Sequence, residues 1–228
     1  MTIKLREEDL LKAAGAVGAL LPCAASVAVG ISFLAYFAGW RDANAYFTAL
    51  GAPWVVSLLP ASRLLYLSGE FVAGILVCAF LAMNSVVSGE IGLKGLRRWS
   101  WIAFALAMLS GINAHLLPPT LVSPKVAWGL SNFAGLCIAV ASGATLGEVV
   151  IRLKDNELRW TASHAYSIYL AVFIGLYWMP SQIGTARAKY HLASLEATLP
   201  AVRLTTPATN ENWRLVEAIG ESVLIMDR

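Results

Sequence analysis

Apolar positions in this chain run in long blocks rather than in one-sided stripes. At about residues 14–39, 64–87, 99–117, 126–150 and 163–180 nearly every position is apolar, and formal charge is almost confined to the block ends. Each block is long enough, at about 1.5 Å per residue, to cross or nearly cross the roughly 30 Å core of a bilayer. The pattern predicts an all-α polytopic membrane protein with five transmembrane helices. It also predicts a broken interfacial or re-entrant helix between the first two, and a small C-terminal β-hairpin module.

The fourth block carries a second pattern inside the first. Every fourth residue is small: Ala127, Ser131, Gly135, Ala139, Gly143 and Gly147. Such a row lets another helix backbone come close, which matters where water no longer drives helices together. Shorter rows recur as Ala14, Gly18, Ser26 and Gly30 in the first block and as Gly74, Cys78 and Ala82 in the second. The third block has Ala103, Ala107 and Gly111. These rows predict that the fourth helix lies at the bundle centre with the first helix as its partner. Pro22, on the first row, is expected to kink its helix.

Between the first two blocks, 41–60 breaks the pattern. Asp42 reads as a helix N-cap, 43–50 as a short helix, and Gly51, Ala52 and Pro53 as a break. A second apolar piece, 54–59, ends at Pro60. Neither half can span a bilayer. Two arrangements fit: a broken helix in the interface anchored by Tyr46 and Trp54, or a re-entrant loop lining a cavity.

The two ends of the chain are more polar. Residues 1–12 read as a cytoplasmic surface helix supported by Lys4 with Glu8 and Glu8 with Lys12. The five-span domain is then 13–180 and the extracytoplasmic part 181–228. Pro180 is expected to interrupt the last helix, which resumes over 181–198. A strand is predicted at 201–205, and a hairpin from 213–218 and 222–226 with its turn at Ile219 and Gly220. So short a module cannot hold a core of its own. It must rest on the exit helix, the membrane surface, the 42–60 element or another protein.

Composition narrows the class. The chain is 58% hydrophobic and 14% charged, with a mean hydropathy of +0.66. Soluble domains carry roughly 25% charge. A net charge of +3 gives no reason to expect nucleic acid. Cys23, Cys78 and Cys137 all lie inside apolar blocks, which argues against a disulfide framework or a metal site. Glu7, Glu8 and Asp9 ahead of a long apolar run argue against a cleaved leader. Lys4, Arg6, Lys12, Lys94, Arg97, Arg98, Arg152, Lys154 and Arg159 fall on one side of the predicted spans, and only Arg41, Arg63 and Lys125 in the short loops of the other. The positive-inside rule then places the N-terminus in the cytoplasm, most simply of a bacterial inner membrane, and the C-terminus outside.

Polar residues within the blocks are the candidate functional groups, because lipid penalises them. Toward the outer side these are Glu70, Asn113, His115 and Asn132. Toward the inner side are Asn84, Ser85, Ser88, Glu148 and His164. Glu70 leads the group, with Arg63 seven residues before it on about the same helix face as an ion-pair partner. Glu148 is expected to pair with the basic residues that follow it. Trp54 joins the outer set as a partner-binding aromatic. No nucleophile, metal-binding or phosphate-binding motif is present, so neither catalysis nor a cofactor is expected. Three readings follow. The first is a non-enzymatic membrane protein, of accessory, sensor or immunity type, that recognises a partner or ligand on its outer face and contacts lipid and a protein partner or further copies of itself. The second is a transporter or channel subunit with a vestibule at Glu70, Asn113 and Asn132. The third is a membrane-embedded enzyme.

Overall fold

The computed structural model describes residues 7–116, 121–154, 173–194, 199–200, 202, 213–219 and 222–226. The described chain is mostly helical. It runs through α1 (Glu7–Ala49), a 3-10 turn (Pro53–Leu58), α2 (Ala61–Val87), α3 (Leu93–Leu116) and α4 (Pro124–Lys154). A π-helical turn (Phe173–Trp178) then leads into α5 (Met179–Ala193), and β1 (Arg214–Ile219) and β2 (Ser222–Met226) form an antiparallel hairpin. Its register slips once, between Leu215 and Glu217. The first part of the predicted fifth span, with His164, lies outside the described residues, as do Pro118, Pro119 and most of the predicted 201–205 strand.

The largest departure from the sequence pattern is α1. The expected surface helix, first span and short 43–50 helix are one helix of 43 residues, running through Pro22 and past Asp42. Asp42 is therefore not an N-cap. Neither Gly nor Pro stands between Trp40 and Ala49 to stop the helix, and the Asp42 carboxylate is taken by a tertiary partner. The stop comes at Gly51, with φ at 79°. Gly51 N–H donates to Thr48 O at 3.0 Å and Ala52 N–H to Phe47 O at 2.8 Å. This is the Schellman arrangement, which needs the left-handed conformation that glycine adopts freely. Pro180 likewise does not end its helix. It is the second residue of α5, and because it lacks an N–H the helix widens into a π turn just before it.

Side-chain pairings give the direction of each helix. Gly39 meets the backbone of Leu64 and Ala35 O accepts from Ser68 Oγ, so α1 and α2 are antiparallel. Gly74, Cys78 and Ala82 of α2 meet Ala139, Gly143 and Gly147 of α4 in the same order, so these two are parallel. Ser100 bonds Ala141 O at 3.0 Å and Arg97 reaches Glu148 at 3.3 Å, which makes α3 and α4 antiparallel. Gly135 faces Ile183 and Gly175 faces Ser142, so α4 and α5 are antiparallel. The result is an up-and-down bundle. The ends of α1 and α5 and the start of α2 come together at one end, and the α2–α3 connection lies at the other.

The small row of α4 therefore serves two neighbours. Gly143 and Gly147 press on α2, while Gly135 presses on α5. Ser131 is completely buried. Among the described residues the close neighbours of the row's glycines come from α2 and α5, and the first helix packs mainly on α2 and α5 rather than on this row. Glu148 is buried and held by Arg152 at 2.9 Å and by Arg97 at 3.3 Å. Two helices, α2 and α4, are long and apolar enough to cross a membrane, with mean hydropathies of 2.1 and 1.8 over their most apolar windows.

Candidate functional site

At the end of the bundle where α1 and α5 finish, several elements share one core. Ala43, Tyr46 and Phe47 of α1, Val55 and Val56 of the 3-10 turn, Leu59 just after it, Leu64 of α2 and Ala188 of α5 are all buried together. Val216 and Leu224 of the hairpin pack against this cluster. The hairpin thus rests on the 43–59 element, as a module too small for its own core must. Backbone bonds secure it further: Val202 N–H donates to Trp213 O at 3.0 Å and Leu215 N–H to Pro200 O at 2.9 Å. Arg63 at the start of α2 bridges to Glu217 of β1 at 3.1 Å.

A polar ladder joins α1 to α5 beneath this headpiece. Asp42, only 4% exposed, accepts from Arg187 at 2.7 Å. One turn on, Tyr46 Oη lies 2.8 Å from His191 Nδ1. Both pairs use residues four apart, so each helix offers its two partners from one face. The Arg187 guanidinium sits 4.6 Å from the Tyr46 ring centre, tying the two rungs together. Arg41, the residue before Asp42, lies 3.8 Å from the Tyr177 ring centre and donates to Ser181 Oγ at 2.8 Å. Gly184 makes the close approach possible, since a Cβ there would collide with the Asp42 backbone carbonyl. Asp42 Oδ1 and Arg41 Nε are buried without a hydrogen-bond partner.

These groups lie beyond the apolar part of their helices, and burial sets their titration. It pushes the Asp42 carboxyl up, against the pull of Arg187. It pushes the Tyr46 phenol up to about 12. It holds His191 below its ordinary value, with Arg187 adding to the effect. A neutral His191 ring protonated at Nε2 accepts from the Tyr46 hydroxyl. A second ring proton would reverse that bond and set a positive charge one turn from Arg187. Because the folded value is the lower one, the stability tied to His191 is whole above about 6.5 and is lost as pH falls from there through the folded value. Amide exchange in α5, corrected for intrinsic rates, is thus expected to quicken between about pH 7 and about pH 5. Asp42 runs the other way, so the comparison that isolates the histidine is with His191→Gln. Identical pH dependence in the two proteins would refute the assignment.

The sequence-predicted residues distribute differently. Arg63 is paired with Glu217, not with Glu70. Glu70 is exposed on the outward face of α2. Asn113 is half-buried near the end of α3 and His115 lies in its last turn. Asn132 is exposed and spends its amide on its own helix, donating to Trp128 O at 2.8 Å. No hydrogen bond or ion pair joins any two of Glu70, Asn113 and Asn132 among the described residues. Trp54 is 60% exposed on the 3-10 turn, whereas Tyr46, expected beside it as an interfacial anchor, is core. The ladder itself is not singled out by sequence. Its local signal was the i,i+4 spacing of Asp42 with Tyr46 and of Arg187 with His191, which says nothing about which pair meets which. No family model, curated protein or solved structure matches this chain.

Proposed function

We propose that the chain is a non-enzymatic integral membrane protein that crosses the bilayer five times and recognises a protein partner through an extracytoplasmic headpiece. The observation that carries this reading is the single core shared by the 43–59 element, α5 and the hairpin. That core and the ladder below it hold a preorganised surface on which Trp54, Leu58 and Val223 stand exposed. Membrane embedding is supported by α2. It has the higher hydropathy of the two membrane-length helices, yet 28% of its most apolar window is buried. In water such a face would be an aggregation patch. Phe33, Leu109 and Leu136 extend the exposed apolar surface to α1, α3 and α4. Lys94, Arg97, Arg98, Arg152 and Lys154 gather at the end away from the headpiece, which favours the cytoplasm for that end.

A transporter or channel vestibule would require Glu70, Asn113 and Asn132 to share an interior. Glu70 and Asn132 face outward, so no observation favours that reading. Two experiments test the proposal. A periplasm-dependent reporter after Arg228 and a cytoplasm-dependent one after Lys154 should both be active, and the opposite pattern would sink the topology. In detergent, Trp54→Ala should weaken a stoichiometric partner complex by about tenfold or more without moving the melting midpoint. Isolation of a homo-oligomer around a water-filled axis would instead restore the transporter reading.

A further inference from the structure

Steps of four and three residues along α2 pick out Tyr66, Glu70, Ala73, Val77, Phe80 and Asn84, and every one of them is exposed. Tyr66 and Phe80 show 70% and 66% of their surface. The opposite face, with Ser68, Val72, Ile75, Ala79 and Ala82, is buried. Glu70 lies two residues from both Ser68 and Val72, about 200° round the helix from each, so it points away from the bundle. An alternating four-three spacing is the geometry of a left-handed helix pair.

Lipid tails would satisfy the aromatic and aliphatic members of this seam. They would not satisfy Glu70 or Asn84. Neither side chain has a hydrogen-bond or ion-pair partner among the described residues, and the two stand two heptads apart on one line, about 21 Å. The nearest cation on its own helix, Arg63, is engaged by Glu217, and none of the ion pairs among the described residues includes Glu70. A second copy packed seam to seam would set Glu70 against Glu70. Charge therefore selects a different occupant.

We propose that the outward face of α2 docks a transmembrane helix of another protein, one carrying Lys or Arg opposite Glu70 and a hydrogen-bonding side chain opposite Asn84. This rests on the membrane reading above. It adds a lateral contact within the bilayer to the contact made by the headpiece.

The test uses the full chain in phosphatidylcholine vesicles with a labelled poly-leucine transmembrane peptide bearing one Lys at the depth of Glu70. An all-leucine peptide serves as reference. Energy transfer should show the Lys peptide bound about tenfold more tightly than the reference. Glu70→Gln should erase that preference, and because Glu70 is exposed the change leaves the fold intact. Leu109→Ala, on the outward face of α3, should keep it. Equal binding of the two peptides overturns the proposal, as does self-association of the chain that depends on Glu70. Flotation with the vesicles and resistance to alkaline carbonate read the membrane assignment separately. A chain that floats but ignores the lysine refutes the docking seam alone, whereas one released by carbonate refutes both.

Discussion

Arg187→Ala is expected to destabilise the protein by about 3–5 kcal/mol, because it leaves the Asp42 carboxylate buried with no cation. Asp42 is 4% exposed, and no other cation is bonded to it among the described residues. The same change removes the guanidinium from beside the Tyr46 ring and so loosens both rungs of the ladder. Arg187→Lys should rescue only part of the loss, since an ammonium cannot both reach Asp42 and lie flat against the phenol. Removing both charges, Asp42→Ala with Arg187→Ala, should be milder than Arg187→Ala alone, because no charge is then stranded. Unfolding in detergent of the wild type, the two single variants and the double variant reads the coupling directly. Additive losses would mean that the two residues are not partners and that the ladder does not hold α1 to α5.

The contrast between legible and illegible parts follows from how far apart partners lie along the chain. The extents of α2, α3 and α4 were legible to within a few residues because an apolar block records local burial, whether in lipid or in protein, whereas the end of α1 was misplaced. The hairpin was legible because its two strands are neighbours in sequence, and Gly51 because a left-handed helix stop needs no distant partner. Asp42 misled because an aspartate at the end of an apolar run is a local start signal. Its actual role is set by Arg187, 145 positions away, and such a tertiary partner overrides the cap preference. Tyr46 misled for the same reason. A tyrosine at a block end suits the interface in isolation, yet here α5 covers it. Arg63 and Glu70 share a helix face, but seven residues put them about 10 Å apart along the axis, and Glu217 offers Arg63 a nearer carboxylate. Rows of small residues tell which face packs closely. They do not choose the partner, so the α4 row could be recognised while its match with Gly74, Cys78 and Ala82 could not.

Gly143→Leu is expected to destabilise the bundle by about 3 kcal/mol, the upper end of ordinary overpacking, whereas Leu146→Ala should cost about 1 kcal/mol for a half-buried side chain. The asymmetry comes from what surrounds each position. A Cβ at Gly143 would lie 2.6 Å from Cys78 Cβ, 2.7 Å from Ile75 O and 2.8 Å from Ala79 N. Two of those three atoms are backbone, so no rotamer change can make room and α2 must move away from α4. Leu146 lies off the row, and its truncation removes contacts without forcing a helix to shift. Cys78→Gly should therefore fail to rescue Gly143→Leu, because the backbone atoms of Ile75 and Ala79 remain in place. Melting midpoints in detergent and the monodisperse fraction on size exclusion supply the comparison. Equal stability of the two single variants, or full rescue by Cys78→Gly, would show that α2 and α4 do not meet backbone to backbone at Gly143.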